Sequence, residues 1–125
     1  MARSPKLYAP DSYREATAHE RKTVCNGVGP AGKGWMMPDT IYGLSMTESA
    51  NIHDWMYELG FRIEHKDEAD RVFLNNMLRV IADAGGWLAG LRRKRAQKYY
   101  WAVANYGGPA FWAGKAGGPS SDDSK

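Results

Sequence analysis

In little more than one helical turn, the segment His53-Asp54-Trp55-Met56-Tyr57 carries an imidazole, a carboxylate and a phenol. These groups can respectively move a proton, hold a hard cation and steady a hydrogen-bond network. Neighbouring positions on a helix point about 100° apart, so His53 and Asp54 diverge and suit two adjacent tasks rather than joint ligation of one ion. Tyr57, four residues after His53, returns to the same helical face. A histidine acting as general base needs an acceptor on its second ring nitrogen, and Asp70, on the next predicted helix, is the candidate. The alternative for Asp70 is an ion pair with Arg71 or Arg79.

The elements that must position these groups are helical, and the expected fold class is mainly α. Ser45-Met46-Thr47-Glu48 has the capping-box pattern. Ile52, Trp55, Met56 and Leu59 then recur at helical spacing until Gly60 ends the helix. A second helix is predicted from about Lys66 to Ala84, with Ala69, Val72, Phe73, Met77, Val80 and Ile81 as its apolar stripe and Gly85-Gly86 as its stop. Asp70 falls on the border of that buried face, where a carboxylate needs a partner. The intervening Gly60-Phe61-Arg62-Ile63-Glu64-His65 turn allows an antiparallel pair that returns Asp70 towards His53.

Upstream, residues 1–10 read as irregular, a short helix starts at Asp11 or Ser12 and runs towards Lys22, and residues 23–44 read as loop. A loop of that length in a compact domain favours a functional reading. Downstream, a third helix is predicted from Trp87 to Tyr106, mixing Leu88, Leu91, Tyr99, Trp101 and Val103 with the basic run Arg92-Arg93-Lys94-Arg95 and Lys98. Gly107-Gly108-Pro109 is expected to break regular structure, with Phe111 and Trp112 docking back on the body. Residues 1–116 are expected to form one domain and 117–125 a disordered tail.

The order of these residues resembles the secreted phospholipase A2 superfamily. The matching features are His53-Asp54-x-x-Tyr57, then Asp70-Arg71, with Cys25-Asn26-Gly27-Val28-Gly29 upstream similar to the family's glycine-rich calcium loop. The resemblance spans about Cys25 to Leu78. It departs at the cysteines: secreted members flank the His-Asp pair with cysteines, whereas this chain has Ser49-Ala50-Asn51 before it and Met56 after it. With Cys25 as the single cysteine no disulfide forms within the chain, and stability rests on the core. The likeness is therefore to a bacterial or phage-type relative.

The resemblance implies a phospholipase A2-like fold, with two antiparallel core helices carrying the site, a calcium loop, and flanking terminal helices. It implies Ca²⁺ as cofactor, held by Asp54 and by backbone oxygens near Cys25, Gly27 and Gly29. It implies His53 as the base that activates water against the sn-2 ester of a glycerophospholipid, Asp70 as its partner, and Tyr57 as the residue orienting Asp70. A second phenol is left open among Tyr42, Tyr99 and Tyr100. The substrate partner is a phospholipid membrane surface.

Two other classes compete. A metal-dependent His-Asp phosphohydrolase would use His19, His53, Asp54 and a later Asp, but such domains need more helices than this chain can hold. A non-catalytic module would bind membrane or nucleic acid through the basic helix, whose cations suit anionic lipid, nucleic-acid phosphates or a plain solvated face. Net charge +3, from 17 basic and 14 acidic residues, demands no polyanionic partner, and nucleic acid is not favoured. His19 and His65 lack comparable neighbours and read as surface residues. Cys25 has no base near it in sequence and reads as a packing residue.

Composition agrees with one core: 125 residues, 43% hydrophobic, with five Trp and seven Tyr. Met1-Ala2-Arg3-Ser4-Pro5-Lys6 shows no apolar run after its charges, so neither a signal peptide nor a membrane span is expected. Synthesis in the cytoplasm, with phage association or a non-classical exit, is the corresponding expectation. No internal repeat is present.

Overall fold

A computed structural model describes residues 6–25, 40–113 and 115. Its elements run α1 (Asp11–Glu15), α2 (Ala18–Cys25), β1 (Thr40–Ile41), β2 (Leu44–Ser45), α3 (Thr47–Leu59), α4 (Ile63–Ala84), α5 (Ala89–Tyr106) and α6 (Gly108–Trp112). The fold is mainly helical, as its periodicity implies. No helix among the described residues is long and apolar enough to cross a membrane. The expected tail at 117–125 and the positions of Gly27 and Gly29 lie outside the described residues.

The α4 helix is the spine, because its apolar stripe is wide enough to serve three neighbours at once. Phe73, Met77 and Ile81 join Ile41, Met46, Ala96 and Val103 in a core shared with α5 and the β-hairpin. Val72 meets Leu7, Tyr13, Ile52 and Trp55 on the side of α1 and α3. Ala69 meets Tyr57 and Phe111. The Asn76 side chain, fully buried in α4, accepts from the Tyr8 amide at 2.8 Å and donates to the Tyr8 carbonyl at 2.9 Å. That amide pairing seats the N-terminal segment on the spine as a strand neighbour would.

Several boundaries differ from the sequence expectation, each for a local reason. The single helix expected from Asp11 or Ser12 towards Lys22 is two helices. Thr17 and Glu20 form a reciprocal cap, with the Thr17 amide donating to Glu20 Oε1 at 2.8 Å and the Glu20 amide to Thr17 Oγ1 at 3.0 Å. This is the capping-box arrangement, and it starts α2 anew. Thr17→Ala is accordingly expected to cost about 1 kcal/mol and to raise amide exchange in the first turn of α2. Unchanged exchange there would show that packing, not the cap, sets the break.

The capping box expected at Ser45-x-x-Glu48 is not closed. Ser45 Oγ accepts from the Thr47 amide at 3.3 Å, while Glu48 turns away to accept from the Tyr13 hydroxyl at 2.8 Å, tying the start of α3 to α1. Of the expected loop at 23–44, residues 23–25 belong to α2 and residues 40–44 to a hairpin, while 26–39 lie outside the described residues. Ile41 pairs with Leu44 across Tyr42 (φ 47°) and Gly43 (φ 80°). Positive φ at both central positions is the turn whose twist suits a hairpin.

The second core helix starts at Ile63 rather than Lys66. His65, expected as a plain surface residue, accepts from the Phe61 amide at 3.0 Å and the Arg62 amide at 3.2 Å through Nδ1, capping the α4 N-terminus. Gly107 ends α5 as expected, but helical structure resumes at once in α6: Pro109 sits in its first turn, where its missing N–H costs nothing. Phe111 docks back as expected and is fully buried. Gly60 makes room for it, since a Cβ there would lie 2.8 Å from the Phe111 ring and 2.9 Å from His65 Cβ.

Candidate active site

The short Gly60-Phe61-Arg62 connection folds α4 back along α3, so residues at similar depth from the turn face one another. His53 and Asp70 meet in this way, with Nε2 to Oδ1 at 2.8 Å. Both are buried, Asp70 to within 1% of full enclosure. Tyr57 donates its hydroxyl to the same Oδ1 at 2.7 Å. The imidazole lies against the rings of Tyr57 and Phe73, with centroids 4.1 and 4.6 Å away, so its plane is held by packing as well as by the carboxylate. Thus α3 and α4 bring together His53, Tyr57 and Asp70.

The second oxygen of Asp70 has a partner that the sequence reading did not single out. Lys66 Nζ donates to Oδ2 at 2.8 Å and to the carbonyls of Val103 at 3.0 Å and Ala104 at 3.4 Å. Lys66 is 4% exposed. A lysine ammonium has three donors, and all three are spent here, two of them on the last turns of α5. Neither Arg71 nor Arg79 pairs with Asp70: Arg71 is exposed, and Arg79 donates to Asn75 and to the Lys6 carbonyl. None of the candidate second phenols reaches Asp70 either. Tyr42 is engaged by Arg95, which donates to its hydroxyl at 3.2 Å and stacks on its ring, and Tyr99 packs on the α4–α5 core. Lys66 occupies the position a second tyrosine was expected to fill, and its i,i+4 spacing to Asp70 was the legible signal.

The electrostatics define the proton positions. Burial pushes the Asp70 carboxyl up, but hydrogen bonds from His53, Lys66 and Tyr57, together with the charge of His53, outweigh burial and hold it below the usual carboxylate range. An ionised carboxylate only accepts, so Nε2 of a neutral His53 must carry the hydrogen and Nδ1 the lone pair. No partner for Nδ1 is found among the described residues. Tyr57 is driven well above an ordinary phenol, first by burial and then by the charge and hydrogen bond of Asp70, and it stays a donor. The Asp70 carboxylate is therefore the centre of the cluster, hydrogen-bonded to His53, Tyr57 and Lys66.

The corner between α5 and α6 closes over this cluster. A Cβ on Gly107 would lie 2.6 Å from the Tyr57 hydroxyl and 2.6 Å from the Val103 carbonyl oxygen, so glycine is required there by close approach rather than by dihedral. Phe111 meets the Tyr57 ring edge-on at 5.2 Å. Lys115 then straps the chain down by donating to the Tyr57 and Phe111 carbonyls at 2.5 and 2.6 Å, and burial pushes its ammonium pKa down.

Asp54, one residue on from His53, is half-buried and turned towards the end of α2. Its charge helps to push up the Cys25 thiol, after burial as the main cause and ahead of Glu48, to about 12. Cys25 is therefore a thiol at neutral pH, donating to the Asn51 carbonyl at 3.2 Å, and is no nucleophile. Its carbonyl belongs to the C-terminal turn of α2, where helix carbonyls lack intrahelical partners and the dipole is negative. A carboxylate and backbone carbonyls are the oxygen donors that Ca²⁺ prefers. Among the described residues no group of three His, Cys, Asp or Glu side chains could hold a metal ion. Asp54 and the Cys25 carbonyl are oxygen donors of the type calcium takes, whereas His19, His53 and Asp54 form no metal-holding group of the phosphohydrolase kind. His19 instead borders a groove of about 660 Å³ with Glu20, Trp55 and Leu59. Trp55 and Leu59 are on the α3 face turned away from His53, so the groove is separate from the His53 cluster.

Comparison with known proteins adds no relative: no family model, no curated protein and no solved structure matches the chain.

Proposed function

We propose that the protein is a calcium-dependent hydrolase of the sn-2 acyl ester of glycerophospholipids. The observation that carries this reading is the buried His53 Nε2 to Asp70 Oδ1 pair, which leaves Nδ1 as the basic nitrogen. His53 Nδ1 takes the proton of a water molecule as that water attacks the ester carbonyl. Asp70 holds the tautomer and faces the ring on which positive charge develops, while Tyr57 and Lys66 hold Asp70. Asp54 and backbone oxygens at Cys25, with Gly27 and Gly29 added from the sequence resemblance, are the residues that would hold calcium. Bound there, Ca²⁺ supplies positive charge to a developing oxyanion.

The test is fatty-acid release from mixed phospholipid vesicles in Ca²⁺ or excess chelator, for the natural protein, His53→Ala and Asp54→Ala. The expected result is calcium-dependent sn-2 release, lowered about 100-fold or more by His53→Ala, the scale of a lost general base. Asp54→Ala should abolish the calcium response. Release that is indifferent to His53, or no release from any lipid by a folded protein, would overturn the proposal.

A further inference from the structure

The basic run of α5 is not one uniform patch. Arg92 donates to the Ile41 and Tyr42 carbonyls at 3.2 and 2.6 Å, and Arg95 holds Tyr42, so these two arginines pin the hairpin. Arg93, Lys94 and Lys98 are exposed, and none of the ion pairs among the described residues involves them. The 18 residues of α5 include no Asp or Glu. Leu91, Lys94, Lys98 and Trp101 recur at three- and four-residue spacing and are all exposed. They form one ridge on the face opposite Ala96 and Val103, about 15 Å long at 1.5 Å per residue.

The apolar members are what set this ridge apart from a solvated helix face. Leu91 and Trp101 are 47% and 55% exposed, and Trp87, at the turn leading into α5, is 87% exposed. A phosphate-rich partner rewards the cations but gains little from an exposed leucine. A bilayer interface accepts both, since tryptophan sits with its ring at headgroup depth and lysine stems lie along apolar surface with the charge in the headgroups.

We propose that the α4–α5 turn and the outer ridge of α5 dock on an anionic phospholipid bilayer. Trp87, Leu91 and Trp101 enter the interface, and Lys94 and Lys98 meet lipid phosphates. The proposal borrows from the hydrolase reading only the choice of a phospholipid as partner. Docking itself involves no residue of the His53 cluster.

The experiment is co-sedimentation with vesicles in excess chelator, using phosphatidylcholine alone or phosphatidylcholine with one quarter phosphatidylglycerol. Binding should be at least about tenfold tighter to the anionic vesicles and should weaken with salt. Lys94→Gln with Lys98→Gln should lower it about thirtyfold, the equivalent of roughly 1 kcal/mol per cation at about 1.4 kcal/mol per tenfold. Trp87→Ser should weaken it severalfold on both vesicles. All three positions are exposed, so folding is not at stake. Equal binding to neutral and anionic vesicles, indifference to the lysine pair, or capture by a single-stranded oligonucleotide in place of vesicles would overturn the proposal. Anionic-selective docking together with no fatty-acid release when Ca²⁺ is supplied would keep the surface and remove the hydrolase reading. Release from detergent-dispersed lipid by a protein that ignores anionic vesicles would do the reverse.

Discussion

Asp70→Asn is expected to destabilise the protein by about 3 kcal/mol or more, because it strands the Lys66 ammonium among the α5 carbonyls without its counter-charge. Removing one partner of a buried pair typically costs about 3–5 kcal/mol, far more than the pair contributes over an apolar replacement. The side chains of Lys66 and Asp70 are 5% and 2% exposed, so solvent cannot take over. The same substitution in a Lys66→Met background should cost about 1 kcal/mol, since the asparagine oxygen still accepts from Tyr57 and no charge is left unpaired. Urea unfolding of the four proteins in this cycle gives the coupling directly. Additive costs would mean that the ammonium is not paired with Asp70.

Acid should act through the same carboxylate. Its folded pKa is lowered from the ordinary 3.8, so the unfolded chain binds the proton more readily. The stability it contributes is complete above about pH 5, declines as pH falls through 3.8, and is gone below the depressed folded value. Asp70→Asn should remove that part of the acid slope. An unchanged slope would place the acid sensitivity in other carboxylates.

Much of this cluster was legible because its parts lie on long periodic helices. The Ala69 to Ile81 stripe identified α4 and its buried face, Gly60 and Gly85-Gly86 punctuated it, and the spacing of His53, Tyr57 and Asp70 anticipated their meeting. Periodicity counts apolar residues without saying what covers them. Leu59, expected in the stripe of α3, is 52% exposed, and Leu91 and Trp101 on α5 are 47% and 55% exposed. A lysine at the start of a helix normally reads as solvated, and the burial of Lys66 depends on carbonyls some 37 residues away. The break between α1 and α2 is encoded in Thr17-x-x-Glu20, a second helix start only six residues after the one at Asp11. Strands of two residues are too short for an alternating pattern, so only the Tyr42-Gly43 turn could have announced the hairpin.

Gly107→Ala tests whether the α5–α6 corner holds Tyr57 on Asp70. The added Cβ would lie 2.6 Å from both the Tyr57 hydroxyl and the Val103 oxygen, and neither can retreat freely. The hydroxyl is bound to Asp70 at 2.7 Å, and the Val103 oxygen accepts from Lys66 and from the Gly107 amide. Overpacking of this kind costs about 1–3 kcal/mol, and relief requires Tyr57 to leave Asp70 or α6 to lift with Phe111. If Tyr57 moves, fatty-acid release under the hydrolase reading falls with stability. In a Tyr57→Phe background the hydroxyl clash is absent, so Gly107→Ala should cost about 1 kcal/mol less, with the Val103 contact accounting for the remainder. Equal costs in the two backgrounds would show that the backbone of α5, not the phenol, yields to the methyl group, and that the corner does not position Tyr57.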